Sequence, residues 1–183
     1  MSDPTGASTI DAGPSAQSAR NRPHASPLTP DRFERVLAGG AVVLLAAVLV
    51  AILRGRADWA QVPVVVWAHL ATIAVALGLT PVMLLRRRGD ARHRLLGWIW
   101  ASALMLTALV SFFIRLTNHG GLSIIHILSL WTVIQVPIIV WSARHHQVAR
   151  HRRAVRGMVL GALLIAGFFT FPFDRMLGHW LFG

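Results

Sequence analysis

The chain has 183 residues with 9 His, 7 Asp+Glu, 0 Cys and 0 Tyr, so imidazole is the side chain best placed to do chemistry. Four histidines stand out by spacing: His69, His93, His126 and His151. The absence of cysteine excludes disulfides, thiolate metal sites, iron–sulfur clusters and thioether-attached, c-type haem. The few carboxylates lie almost entirely in the N-terminal stretch or between apolar runs, and no Gly-rich phosphate loop or HExxH occurs. Hydrolase or transferase catalysis therefore has no nucleophile–base–orienter set, and any enzymatic activity would be that of an oxidoreductase.

The surroundings of these histidines are apolar. Hydrophobic residues make up 55% of the chain and charged residues 14%, against about 25% charged in a soluble domain. Five apolar runs, at about 35–53, 62–85, 95–114, 122–141 and 155–173, each approach the ~20 residues needed to cross ~30 Å of hydrocarbon. Backbone groups in lipid must be satisfied within the segment, so the runs read as helices of an all-α, integral membrane, five-span bundle occupying 33–183. Residues 1–32, rich in Ser, Pro, Ala and Gly, read as a disordered tail. Gly157-Met158-Val159-Leu160-Gly161 has the small-xxx-small spacing that lets helices approach closely.

All 18 basic residues are arginine, and the formal charge is +11. The arginines cluster between the runs and form no single face, which argues against nucleic acid and for the bilayer as partner. Arg20, Arg22, Arg32 and Arg35 precede the first run, Arg86, Arg87, Arg88, Arg92 and Arg94 follow the second, and Arg144, Arg150, Arg152, Arg153 and Arg156 follow the fourth. The opposite side has only Arg54, Arg56, Arg115 and Arg175. The positive-inside rule then places the N-terminus in the cytoplasm and the C-terminus outside a bacterial inner membrane. Trp59, Trp67 and Trp180 fall at the outer interface, and Trp98, Trp100 and Trp141 at the inner one.

Within that frame the four histidines occupy two depths, His69 and His126 in the outer third, His93 and His151 at the cytoplasmic boundary. The order of features also repeats. His69 is followed by Thr72, Pro81, an arginine cluster, His93-Arg94 and Gly97; His126 by Ser129, Pro137, Arg144, His151-Arg152 and Gly157. Such a tandem repeat of spans 2–3 and 4–5 would relate the two hairpins by a pseudo-two-fold axis along the membrane normal. His69 would then face His126, and His93 would face His151. Two facing imidazoles meet the axial requirement of b-type haem, so one or two haems are expected, carrying electrons between redox partners that the sequence does not name. Thr72 and Ser129 could accept the second ring N–H, and arginines beside the inner pair could neutralise propionates.

A cofactor-free structural or regulatory module is the competing expectation. Interfacial His93 and His151 would then anchor helix ends, and His69 and His126 would hydrogen-bond between helices. A transporter is disfavoured because no run contains Asp or Glu. A zinc or copper site at His145, His146 and His151 has no nearby carboxylate.

His69-Leu-Ala-Thr-Ile-Ala-Val-Ala-Leu-Gly78, Arg86-Arg-Arg-Gly-Asp-Ala-Arg-His93-Arg-Leu-Leu-Gly97-Trp98 and Ala149-Arg-His151-Arg-Arg together resemble the bacterial membrane family named domain of unknown function 2306, over about residues 62–178. That resemblance implies membrane location and no particular activity. In its histidine order the chain also resembles the di-haem, ascorbate-reducible transmembrane b-type cytochromes. The likeness implies pairing of His69 with His126 on the outer side and of His93 with His151 on the cytoplasmic side. Five spans in place of six, shorter spacings and no ascorbate-site motif set this chain apart and leave donor and acceptor open.

Overall fold

The computed structural model describes residues 29–86, 88–114, 124–172 and 175–183. Most of the expected tail, together with His24, Arg87, Arg115 and His119, lies outside the described residues. Helix α1 spans Arg32–Arg54 and runs into a 3₁₀ segment, Gly55–Gln61. Then come α2 (Val64–Leu85), α3 (Ala91–Ser111) and α4 (Ile124–Arg144). Helix α5 starts as Val148–Met158, continues through a π-helical stretch, Val159–Ile165, and ends as Ala166–Phe168. A short α6, Met176–Phe182, follows.

Local chemistry sets several of these boundaries. Asp31 caps α1: its carboxylate accepts from the Glu34 amide at 3.0 Å, and Glu34 accepts from the Asp31 amide at 3.2 Å. Helix α1 thus starts inside the stretch assigned to the tail. Asp90 caps α3 by accepting from the His93 amide at 2.6 Å, while Arg86 holds the same carboxylate at 3.0 Å. The Arg86 guanidinium and the His93 amide both hold Asp90 below the usual carboxylate range. Gly89, at φ 93°, makes the turn between α2 and α3 in a conformation that suits glycine.

From α1 to α5 each helix packs on the next in sequence, α1 also packs on the π-helical part of α5, which closes these helices into a ring, and α6 packs on α1. Helices α2 and α4 share at most marginal contact, as do α3 and α5. Leu37, Ala41, Leu77, Leu104, Met158 and Leu163 fill the middle. A smaller cluster of Val48, Ala51, Val66, Leu70 and Leu177 seats α6 at the far end. The α1–α5 seam is tight. A Cβ on Gly40 would lie 3.1 Å from Leu164, and one on Gly167 would lie 2.5 Å from Leu44. Close approach therefore falls to Gly40 and Gly167. Gly161 faces Trp131, and a Cβ on Gly157 would meet nothing within 4 Å.

Among the described residues, four helices are long and apolar enough to cross a bilayer: Arg32–Gln61, Val64–Leu85, Ala91–Ser111 and His126–Arg144. Large apolar side chains such as Val43, Leu53, Ile127 and Phe168 point outward, as lipid solvation permits. The fifth run begins within an arginine-rich helix and passes through the π-helical stretch. Trp100, expected at the interface, is instead 3% exposed in the core, where its indole N–H donates to Thr80 at 3.0 Å.

Candidate functional site

His93 and His151 converge at the arginine-rich end of the bundle. His93 sits in the first turn of α3 because Asp90 fixes that turn; His151 sits in the first turn of α5, which His146 (φ 55°) starts by ending α4 in a left-handed residue. Their helices scarcely touch, yet both side chains line one cavity of about 270 Å³. Its walls include Met83, Leu84, Ile139, Val155 and Val159. Exposed Arg94, Trp98, Arg144 and His146 surround its mouth. Val159 opens the π-helical stretch, a feature found often at functional sites.

The hydrogen bonds define one ring nitrogen. His151 Nδ1 lies 3.0 Å from the Ile139 carbonyl, which can only accept, so Nδ1 carries the proton and Nε2 carries the lone pair. This is how a backbone carbonyl orients a metal-ligating imidazole. His93 Nδ1 is buried with no hydrogen-bond partner among the described residues, a costly state that a ligand in the cavity would relieve. Burial holds the His151 imidazolium below its ordinary range; the Ile139 hydrogen bond opposes this shift, and the Arg88 charge adds to it.

Glu34 forms the other half of this end. Its side chain is 1% exposed and meets Arg88, Arg152 and Arg156. Arg152 grips it with Nε at 2.8 Å from Oε1 and Nη2 at 2.9 Å from Oε2. Arg156 also bonds Asp31. The Glu34 amide holds the Asp31 carboxyl below its usual range; burial opposes this, and Arg156 reinforces it. The cluster joins α1, the α2–α3 turn and α5. Sequence reading by apolar runs missed Glu34, which lies one residue before the first run. The signal was available, since Asp31-Arg32-Phe33-Glu34 has capping-box spacing.

His69 and His126, toward the other end of the bundle, are arranged differently. His69 Nδ1 is 3.0 Å from Ser111 Oγ of α3. That hydroxyl donates to the Thr107 carbonyl at 2.7 Å, so it accepts from His69. Thr72, expected to serve the His69 ring, instead accepts from Thr107 at 2.8 Å and donates to its own helix. With Thr80–Trp100, these contacts make a polar seam along α2 and α3. His126 is buried with its ring centroid 6.0 Å from that of Phe112. Both side chains thus reach the C-terminal end of α3. Among the described residues no three or more of His, Asp and Glu gather as a metal-ion site.

These features define the class: the described residues form an all-helical bundle with four helices suited to crossing a membrane and a histidine-lined cavity at its basic end. No protein-family model, curated protein or solved structure matches the chain.

Proposed function

We propose that this is a five-span inner-membrane protein, with a cytoplasmic N-terminus and an external C-terminus, that holds b-type haem between His93 and His151 and carries electrons. The observation that carries the reading is the convergence of these two imidazoles, from helices that scarcely touch, on one cavity. The donor set fits: His151 offers Nε2, and His93 has a buried ring nitrogen still seeking a partner. The volume, about 270 Å³, is just below the roughly 300–1,000 Å³ of small-molecule sites, so a porphyrin would fit only if the exposed Trp98 and Arg144 turned outward. Arg88 and Arg152 face the cavity from a cluster in which three arginines meet two carboxylates, and its surplus positive charge suits propionates.

When bound, a haem held by His93 and His151 would supply a one-electron couple, chemistry suited to electron transfer. The chain's own part is to fix the His151 ring through Ile139, to exclude water with Met83, Leu84 and Val155, and to bias the site electrostatically through its arginines. The order of features shared by His69–Gly97 and His126–Gly157 in the sequence would, if it marks a repeat, favour an outer site at His69 and His126 by symmetry. The contacts of His69 favour a polar link between helices there, so the inner site is the stronger proposal.

The test is a reduced-minus-oxidised spectrum of the detergent-solubilised protein after haem-replete expression. His93→Ala and His151→Ala each abolish the Soret signal, whereas His69→Ala leaves most of it. A wild-type protein without Soret absorbance refutes the reading. It would favour the cofactor-free module, for which the His69–Ser111 and Glu34–arginine links already speak.

A further inference from the structure

The mouth of the cavity carries cations that the Glu34 cluster does not use. Arg88 and Arg152 turn inward to Glu34, but neither Arg94 nor Arg144 meets a carboxylate among the described residues. Both are held in place by uncharged groups: Arg94 Nη1 donates to the Gly89 carbonyl at 2.9 Å, and the Arg144 guanidinium stands 5.6 Å from the Trp98 ring centroid. A guanidinium has five N–H donors, so each retains donors beyond these contacts at the cavity it lines. Next to them on α3 and α4 lies exposed apolar surface, formed by Leu95, Trp98, Ile99 and Trp141. The apolar runs begin and end at this level, so it is where headgroups meet acyl chains.

We infer that the mouth between α3 and α4 is a binding site for an anionic phospholipid, with its phosphate on Arg94 and Arg144 and an acyl chain along Leu95, Trp98 and Ile99. Paired guanidinium groups match phosphate oxygens in geometry and charge, and basic pockets between spans at the cytoplasmic face are suited to anionic headgroups. The adjoining apolar strip selects a lipid over a free anion, since a soluble phosphate gains nothing from it. The inference rests on the membrane reading of the apolar helices and does not require haem.

Native mass spectrometry of the full chain tests it, using protein from haem-depleted cells in neutral detergent so that the haem proposal has no bearing on the result. Phosphatidylglycerol and phosphatidylcholine are added at equal concentration, with inorganic phosphate as a competitor. The expected result is retention of one phosphatidylglycerol in preference to phosphatidylcholine, little affected by phosphate. Arg94→Gln/Arg144→Gln should weaken it about thirtyfold, the effect of two interfacial cations. Arg92→Gln/Arg153→Gln, which removes the same charge from exposed positions, should leave it unchanged; circular dichroism confirms that both variants keep their helices. Equal loss in both double variants overturns the site in favour of a diffuse basic surface. Equal retention of phosphatidylcholine, or displacement of the lipid by inorganic phosphate, also overturns it.

Discussion

Replacing Glu34 by Gln tests whether one buried carboxylate holds the basic end together. The substitution keeps the shape but exchanges an oxygen for an amide nitrogen, aiming N–H donors at guanidinium groups that also only donate. Glu34 Oε2 accepts from the Asp31 amide and from Arg152 Nη2, and Oε1 from Arg88, Arg152 and Arg156. Removing one partner of a buried ion pair costs about 3–5 kcal/mol. Arg152 and Arg156 keep Asp31 as a second partner and are 18% and 26% exposed, so the lower end, about 3 kcal/mol, applies. For a chain of this length that corresponds to a fall in Tm of about 6–12 °C. Asp31, 44% exposed, supplies a cap and a more solvated pair, so Asp31→Asn should cost only about 1 kcal/mol. Thermal unfolding in detergent, followed by circular dichroism, gives both values. A cycle with Arg88→Gln should return a coupling of about 1–3 kcal/mol. The reasoning fails if Glu34→Gln is within about 0.5 kcal/mol of wild type, or if Asp31→Asn costs more.

Other outcomes follow from single contacts. Ser111→Ala removes the acceptor of the His69 ring and should cost about 0.6–1.7 kcal/mol of helix association without altering any haem spectrum, as the same unfolding assay and a spectrum would record. Gly157→Ala meets open space on an exposed helical position and should stabilise by about 0.5–1 kcal/mol. Gly178→Ala would instead place its Cβ against the Phe171 carbonyl oxygen, displacing α6 and raising the rate of limited proteolysis near the C-terminus. On acidification, the unfolded chain protonates His151 as the pH falls through about 6.5, while the folded chain, with its lower pKa, resists. Stability from this group is therefore full above pH 6.5 and declines below it. His151→Gln should flatten the slope between pH 7.5 and about 5.5 in a pH series of unfolding midpoints. Asp31 and Asp90, also lowered on folding, act in the same sense but lose their contributions only near and below their ordinary value of 3.8, outside that window.

The sequence by itself determined that the chain is helical and roughly where the four long apolar helices lie. Runs of apolar residues near twenty long leave the backbone no other solution in lipid, and Asp31 and Asp90 announce the starts of α1 and α3 by their side-chain chemistry. It also determined the approximate levels of His69, His93, His126 and His151, because depth follows from position along a helix of known rise. Only the tertiary structure decided which neighbour each polar group found. A membrane span is apolar on every side, so its sequence carries little of the one-faced pattern that shows where a soluble helix packs. Spacing offered Thr72 to His69, but the α2–α3 packing gave the ring to Ser111 and joined Thr72 to Thr107. Glu34 reads as an ordinary capping residue until α5 and the α2–α3 turn bring three arginines around it. His93 and His151 are 58 positions apart, and only closure of the helix ring sets them across one cavity.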